Sequence, residues 1–376
     1  MKRIKMSLIG LLFILWLVPG FVFGANTATV TQVGDKNLAD VDQSGSNTAT
    51  ISQFGKNLAD VDQNGNGNTA VVNQGSEGNH VSNFYQPTFP SDWKQGAYIE
   101  QNGDDNAATI TMTNSGTGAK ILQNGEDNSA RQTLGASSSY TNANKPHMAI
   151  EIDQVGNNNQ AIQSTVSSFG SYGIQNMLIQ QTGESNVGTQ ESIGGMASVM
   201  EIIQTGNSNN SFQHSDGRFS RTHADINGVA NTTSQSQAYT VWATSGANQE
   251  DIDIVGEANS ATQNQLGETN TASITINGDA NIATQTQTGN INTASIVQSG
   301  DTNVARQTQT GNSNTAGIVQ TGNSDSGIQE QLGNGNSAQL IQTGDGNISS
   351  QIQNGNNNSS IVTQTGNGNV VTVTQN

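Results

Sequence analysis

Polar and apolar positions alternate along most of the chain, in a pattern that repeats every 11 residues. Each unit has a small, apolar or Gln side chain six, four and two positions before a glycine. These positions share one parity, so in an extended strand their side chains point to the same side. The pattern predicts short strands, each followed by a turn over a Gly-x-x-Asn segment. The phased glycines are Gly256, Gly267, Gly278, Gly289, Gly300, Gly311, Gly322, Gly333, Gly344, Gly355 and Gly366.

A longer period is superimposed on the first. The residue four positions before the glycine alternates between an aliphatic side chain and Gln, so the full unit has 22 residues. Two strands and two turns then form one closed coil, and successive coils stack about 4.8 Å apart. We expect Gly and Asn to supply the positive φ angles of the turns. The predicted fold class is therefore all-β, a β-solenoid of stacked 22-residue strand-turn-strand coils with a few loop insertions.

The composition requires a polar interior. Apolar residues make up 32% of the chain and charged residues 11%, whereas ordinary globular domains have roughly 45–50% and about 25%. Ala and Ile or Val can fill a thin core, while Gln and Asn stack as ladders in which each amide donates and accepts. The predicted self-assembly ladder consists of Gln265, Gln287, Gln309, Gln331, Gln353, Asn259, Asn281, Asn303, Asn347 and Asn369.

The first residues are typical of an export signal. Lys2, Arg3 and Lys5 precede an apolar run that a Pro-Gly pair interrupts. This order predicts a signal peptide over residues 1–24 with cleavage before Ala25. An uncleaved anchor helix is the alternative, but the Pro-Gly pair shortens the apolar span.

The regularity of the repeat divides the remaining chain into three predicted parts. Regular repeats over residues 25–80 and 249–376 flank degenerate repeats with insertions over residues 81–248. The excess residues must form loops, because the spacing of the glycines there departs from 22. The insertions are predicted near residues 83–94, 137–147, 167–172 and 234–247.

Charge and residue types argue against several classes of function. The 12 basic and 29 acidic residues give a net charge of −17, without a basic stripe to bind nucleic acid. The chain has no cysteine, which excludes disulfides and cysteine-based zinc sites. We find no catalytic order of Ser, His and Asp, so we predict neither an enzyme nor a cofactor. We also predict no metal site at the histidines, which lack ligand spacing: His80, His147, His214 and His223.

Two acidic pairs recur in the N-terminal repeats. Asp40 and Asp42 are expected to point outward, with Asp60 and Asp62 one coil above them. Four stacked carboxylates could hold a calcium ion. Alternatively, they form a charged face that slows aggregation during export. The sequence leaves both interpretations open.

The last residues form a predicted edge strand. Val370, Val371 and Val373 lie in a segment of high β-propensity that has no charged side chain and no proline. An open edge of this kind can template another chain. Docking of one copy's first coil on another's last coil is a heterologous contact, so it would propagate as a filament.

The repeated motif resembles a known family. The pattern Asn-x-Ala-x-x-x-Gln-x-Gly-x-x-Asn, as in residues 259–270 and 303–314, resembles the curlin repeat of bacterial curli subunits, although this chain is longer than the common subunit. The resemblance implies a secreted structural amyloid subunit of an extracellular, curli-like fibre (a fimbria) at the bacterial cell surface, used in biofilm and cell adhesion. Its implied partners are itself, other curlin subunits, a periplasmic escort and an outer-membrane secretion pore, with no membrane span after cleavage.

Other roles remain open from the sequence alone. The insertions make a minor or nucleating curli component the first alternative. The second is a monomeric β-helical adhesin or ice-binding-type surface protein, which would need capped ends and a flat Thr-rich face. The outward positions are mixed instead: Thr275, Thr286, Val297, Thr308, Val319, Glu330 and Ile341.

Overall fold

The described part of the chain contains only β-strands as regular elements. The structure is a computed structural model, and it describes residues 4–6, 25–34, 37–55, 57–75, 96–113, 117–136, 148–167, 175–193, 198–216, 220–238 and 247–376. Within these ranges, no helix is long and apolar enough to cross a membrane. Two compact units divide the chain, unit 1 over Met1–Ala197 and unit 2 over Ser198–Asn376.

Unit 1 is a stack of parallel strands in which alternate strands pair. Thus β5 pairs with β7 and β7 with β9, while β6 pairs with β8 and β8 with β10. An antiparallel pair joins β1 to Ala39–Val41 of β3. The strands of unit 1 are β1 Ile4–Met6, β2 Thr27–Val33, β3 Leu38–Phe54, β4 Leu58–Gly75, β5 Gly96–Asn102, β6 Ala107–Met112, β7 Thr117–Asn124, β8 Ser129–Ala136, β9 Met148–Val155, β10 Gln160–Ser167, β11 Gln175–Thr182 and β12 Val187–Ile193.

Unit 2 repeats the same arrangement more regularly. Odd-numbered strands pair in one sheet and even-numbered strands in the other, all parallel. The strands of unit 2 are β13 Val199–Asn207, β14 Asn210–Asp216, β15 Arg221–Val229, β16 Thr232–Ala238, β17 Gln249–Glu257, β18 Ser260–Leu266, β19 Thr271–Asn277, β20 Ile282–Thr288, β21 Thr293–Ser299, β22 Val304–Thr310, β23 Thr315–Thr321, β24 Ser326–Leu332, β25 Ser337–Thr343, β26 Ile348–Asn354, β27 Ser359–Thr365 and β28 Val370–Gln375.

Equivalent residues of successive coils lie next to each other, as the 22-residue period predicts. Ala272 pairs with Ala294 and Ile274 with Ile296, each 22 positions apart. The inward positions form a thin core of stacked Ala and aliphatic side chains that are almost fully buried. The predicted fold class, an all-β solenoid, is therefore confirmed.

The turns differ from the prediction in one respect. Glycine does supply a positive φ, as at Gly300 (φ 107°). The second positive φ is at the residue two positions after the glycine, such as Thr302 (φ 59°) or Ile291 (φ 61°). The Asn at the third position, such as Asn303, does not have a positive φ, so the expectation is wrong there; it is buried and uses its amide for hydrogen bonds. Asn supplies the angle only where it stands two positions after the glycine, as at Asn158 and Asn357.

Two of the predicted insertions begin too early. Residues 234–238 belong to β16, which is in register with β18, and Ser167 ends β10. These residues are therefore strand and not loop. Several predicted segments lie outside the described residues. They are the insertions near 83–94 and 137–147, residues 168–172 and 239–246 of the other two insertions, and the signal peptide apart from β1. The division into regular and degenerate repeats stays a prediction.

Candidate functional site

The five Gln residues of the predicted ladder form one continuous row in unit 2. Nε2 of each donates to Oε1 of the Gln 22 positions later, at 2.8–2.9 Å. The row extends by one step at each end, from Gln237 to Gln265 at 3.3 Å and from Gln353 to Gln375 at 2.8 Å. All five predicted members are buried. Because every Nε2 points toward the next coil, the row has a defined polarity.

The same amides also link the two sheets of the coil. Nε2 of Gln287 donates to the carbonyl oxygen of Thr271 at 3.0 Å, and Gln309 donates in the same way to Thr293 at 2.9 Å. Each acceptor lies in the facing strand. Both N–H groups of the amide are therefore used, which removes most of the cost of burying a polar side chain.

Two further Gln rows run beside the first in unit 2. One occupies the position four before the glycine in the even-numbered strands, and the other occupies the position two before it in the odd-numbered strands. Their Nε2 to Oε1 distances are 2.7–3.0 Å. The interior therefore presents three parallel rows of amides. The members of these two rows include Gln263, Gln285, Gln307, Gln329 and Gln351, and Gln298, Gln320, Gln342 and Gln364.

The predicted Asn residues stack at the turns and hold one coil to the next. The backbone N–H of Asn281 donates to Oδ1 of Asn259 at 2.8 Å, and its Nδ2 donates to the carbonyl oxygen of Gly300 at 2.8 Å. Asn303 continues the row by donating to Asn281 and to Gly322. Each side chain thus ties the turn of its own coil to both neighbouring coils.

Asp325 interrupts this Asn row. Its backbone N–H donates to Asn303, and its Oδ1 accepts from the backbone N–H of Asn347 at 2.8 Å. Its Oδ2 is buried and has no hydrogen-bond partner in the described part of the chain. An Asn in this place would have an Nδ2 to donate toward Gly344. Burial raises the pKa of Asp325, although the hydrogen bonds from Asn347 oppose the effect.

A further ladder at the turns was missed by the sequence analysis. The backbone N–H of Asn290 donates to Oδ1 of Asn312, and that of Asn312 donates to Oδ1 of Asn334, both at 2.8 Å. These side chains follow the glycine directly and are exposed. The signal was available, because Asn, Asp or Glu follows the glycine in every repeat from Gly256 onward.

Unit 1 contains the same rows despite its irregular spacing. One Gln row joins residues that are between 20 and 38 positions apart, at distances of 2.7–2.9 Å. An Asn row accompanies it. The stacking therefore tolerates added chain between strands. The Gln row consists of Gln43, Gln63, Gln101, Gln123, Gln154 and Gln181.

The predicted acidic pairs stack in register in unit 1. Asp40 pairs with Asp60 and Asp42 with Asp62, and all four are half-buried. In the next strand, Tyr98 lies beside Asp60, and its hydroxyl donates to Glu100 at 2.7 Å. Burial, together with Glu100, raises the pKa of Tyr98. Calcium binding by the four aspartates and their gatekeeper role both stay predictions.

Glu250 occupies a position where most repeats have alanine. It lies in the core of unit 2 between Thr222 and Ala272 in register. It is 1% exposed, and neither carboxylate oxygen has a hydrogen-bond partner among the described residues. Burial raises the pKa of Glu250 well above its ordinary value of 4.5. A protonated carboxyl group is therefore favoured here.

The predicted terminal edge strand is β28. It pairs with β26 on one side, and no described strand pairs with its other edge. Val371 and Val373 are half-buried against the apolar core of unit 2, whereas Val370 points outward and is 70% exposed. The last coil therefore leaves apolar surface and backbone groups without a covering coil in the described structure.

The comparisons with known proteins agree with the repeat. The model of the curlin associated repeat family matches residues 25–55 in unit 1 and residues 289–322 in unit 2. Both segments contain the Gln and Asn rows described above. The resemblance to the curlin repeat is thus confirmed, and it supports a curli-type subunit. Comparison with curated proteins gives no match.

Proposed function

We propose that this chain is a secreted structural subunit that assembles end to end into extracellular curli-like fibres at a bacterial cell surface. The proposal rests on the structural equivalence of the coils of unit 2. Their strands, turns and amide side chains recur at equivalent positions. A coil from a second copy can therefore continue the stack. The match to the curlin associated repeat supports this role, since subunits of that family are secreted components of surface fibres.

The polarity of the Gln rows favours head-to-tail contact. At the C-terminal end, Nε2 of Gln375 donates to the carbonyl oxygen of Ser359 at 2.9 Å, which leaves the second N–H of this amide for a further coil. At the N-terminal end, Gln32 donates to Gln53 at 2.7 Å, while its Oε1 receives no hydrogen bond from a described residue. The donor of Gln375 at one end thus matches the acceptor of Gln32 at the other, whereas tail-to-tail contact would oppose two Gln375 donors.

The terminal valines add a hydrophobic contribution. Val371 and Val373 are only partly covered, while the equivalent inward residues of earlier coils are nearly inaccessible to water. Covering the two side chains with another coil would be worth about 25 cal/mol for each Å² of apolar surface removed from water. This gain and the hydrogen bonds of a new strand both favour growth at this edge.

Removal of the N-terminal segment would prepare the other end. Strand β1 pairs with Ala39–Val41 of β3, and it lies within the predicted signal peptide. Cleavage before Ala25 would remove β1 and free this edge of β3. We therefore infer that export and assembly are coupled, with the periplasmic escort and the secretion pore of curli systems as the partners.

The chain is inferred to act as a structural protein and not as an enzyme. Its conspicuous polar side chains, the buried Gln and Asn, are committed to hydrogen bonds within and between coils. Roles in the biofilm matrix and in adhesion follow from the curlin-type repeat and belong to the same proposal.

Assembly can be tested on residues 25–376 after removal of denaturant. We expect fibres in negative-stain micrographs and thioflavin T kinetics that are accelerated by seeds. The double variant Val371→Lys/Val373→Lys places charge on the inward positions of β28 and should slow seeded elongation at least about tenfold. The matched variant Val370→Lys/Thr372→Lys alters the outward positions and should change the rate less than about twofold.

Two results would contradict the proposal. One is a wild-type protein that stays as discrete particles at high concentration. The other is equal elongation rates for the inward and outward lysine variants, since the contact would then not involve the core face of β28.

A further inference from the structure

Five ionisable side chains meet on the outward face of one sheet of unit 2. They come from three consecutive strands of that sheet, β13, β15 and β17. In register, His223 lies between Glu201 and Asp251, and Asp225 lies beside Asp253. Neighbouring strands are about 4.8 Å apart, so these side chains are within reach of one another.

Three of these residues bring possible ligand atoms close together. A ring nitrogen of His223 and one carboxylate oxygen each from Asp251 and Asp253 lie within 4.8 Å of one another. Nε2 of His223 is 3.9 Å from Oδ1 of Asp253, which is too long for a hydrogen bond. A tetrahedral Zn²⁺ with bonds of about 2.0–2.2 Å holds its ligand atoms about 3.3–3.6 Å apart. Small rotations of the two exposed Asp side chains would close the site around an ion.

Glu201 supplies an independent argument. Its Oε2 is 3.1 Å from Nδ1 of His223. Because a carboxylate can only accept, a neutral imidazole in this contact has its proton on Nδ1, which leaves the lone pair of Nε2 available to a metal ion. A carboxylate that holds the far nitrogen of a histidine in this way is the usual orienting group of a metal ligand.

The charges also favour a cation. Asp251 and Asp253 lie on the same outward face of β17, and Asp225 is the register partner of Asp253, so three negative carboxylates repel one another here. A divalent ion between the side chains would relieve this repulsion. One basic side chain, Arg221, also lies on this face of β15, two positions before His223. Its register partner in β17 is Gln249 and not one of the acidic residues.

We infer that His223, Asp251 and Asp253 form a binding site for one divalent transition-metal ion of the Zn²⁺ class, with Glu201 as the positioning residue. An imidazole nitrogen with two carboxylates suits Zn²⁺ better than Ca²⁺ or Mg²⁺, which prefer oxygen ligands. The ion would join β15 to β17 across two coils. The sequence analysis predicted no such site because His223 and Asp251 are 28 positions apart, and only the register brings them together.

Zn²⁺ titration of the freshly refolded full chain tests the site. We expect saturable binding that an excess of Ca²⁺ or Mg²⁺ does not displace, with an X-ray absorption spectrum showing mixed nitrogen and oxygen ligands. The variants His223→Ala, Asp251→Asn and Asp253→Asn should each weaken this binding at least about tenfold. His214→Ala, on the outward side of β14, is the matched control and should bind as the wild type does.

A separate variant tests whether Glu201 orients His223 for Zn²⁺ binding. Glu201→Gln should weaken Zn²⁺ binding about 10- to 100-fold, the usual effect of removing an orienting carboxylate. Glu201→Asp, which keeps a carboxylate, should bind Zn²⁺ more tightly than Glu201→Gln does, a difference that a merely structural role of the side chain would not produce.

Three outcomes would overturn the inference. They are no saturable Zn²⁺ binding by the wild type, unchanged binding in both His223→Ala and Asp253→Asn, or a spectrum with oxygen ligands only. If His223→Ala fails to fold by circular dichroism, the Asp→Asn variants decide, because they preserve the size of the side chain.

Discussion

Gln287 donates a hydrogen bond from Nε2 to Oε1 of Gln309 in the next coil, at 2.9 Å. The contact recurs along unit 2 with the same polarity, and each amide is also bonded to the facing strand. A buried Gln in this fold is therefore a structural link in two directions, along the stack and across the core.

Replacing Gln309 tests how much these links contribute. Gln309→Ala would leave Gln287, Gln331 and the carbonyl of Thr293 each without one hydrogen bond. Since a buried unsatisfied group costs about 1–3 kcal/mol, we expect the free energy of unfolding to fall by at least about 3 kcal/mol. Guanidinium denaturation followed by circular dichroism measures the change. Thr310→Ala, exposed in the same strand, is the control, and equal losses for the two variants would refute the prediction.

Replacing Gly300 tests whether the turns of successive coils approach each other closely. A Cβ at this residue would overlap the carbonyl oxygen of Gly322, and the backbone has φ +107°. We expect Gly300→Ala to destabilise the protein by more than about 2 kcal/mol. Gly317→Ala is the matched control, because a Cβ there meets open space on β23. Its effect should lie within about 1 kcal/mol. Similar thermal stabilities for the two variants would argue against stacked glycine turns.

Asp325→Asn should repair the Asn row. The new Nδ2 can donate where the Asp Oδ2 has no partner, which we expect to stabilise the protein by about 1–3 kcal/mol at pH 7. The folded-state pKa of Asp325 is raised above 3.8, so the wild type loses stability as the pH rises through that pKa, whereas the variant does not. The difference in unfolding free energy should therefore shrink toward low pH. A difference that is constant between pH 3 and pH 7 would count against this account.

We predict a second pH effect on the stability of the protein, caused by Glu250 in the core of unit 2. Its folded pKa is raised well above 4.5 by burial. Stability is therefore greatest while the group is protonated and declines as the pH rises through the folded pKa. Glu250→Gln should remove this decline and be more stable than the wild type at high pH. Urea titrations at several pH values measure it, and the exposed Glu257→Gln should leave the decline unchanged. Parallel pH curves for wild type and Glu250→Gln would rule the effect out.

Much of the fold follows from the sequence because one short period determines it. The parity of Ala294, Ile296 and Gln298 relative to Gly300 is enough to assign the inward face of β21. The 22-residue alternation is enough to assign the partner strand, since stacking like on like pairs most of the buried amides with one another. The periodic part of the candidate site could be predicted for the same reason.

The remaining features depend on three-dimensional contacts that cannot be inferred from the 22-residue period of the sequence. The hydrogen bond from Gln287 to Thr271 requires the distance between the two sheets. The site at His223 requires a register that spans 28 residues instead of 22. Glu250 stands at an inward position where most repeats have alanine. The parity of the strand shows that its side chain points inward, but not that its carboxylate oxygens lack hydrogen-bond partners.

The distance between residues 22 positions apart tests the central claim most directly. The chain has no cysteine, so paired spin labels can be placed without background. Thr286 and Thr308 are register partners on the outward face of β20 and β22. Labels at Thr286→Cys and Thr308→Cys should show strong dipolar broadening, because neighbouring strands are about 4.8 Å apart. Labels at Thr286→Cys and Val297→Cys, 11 positions apart on opposite sheets, should show little. Equal broadening in the two pairs, or stronger broadening in the second, would contradict the stacked 22-residue coil.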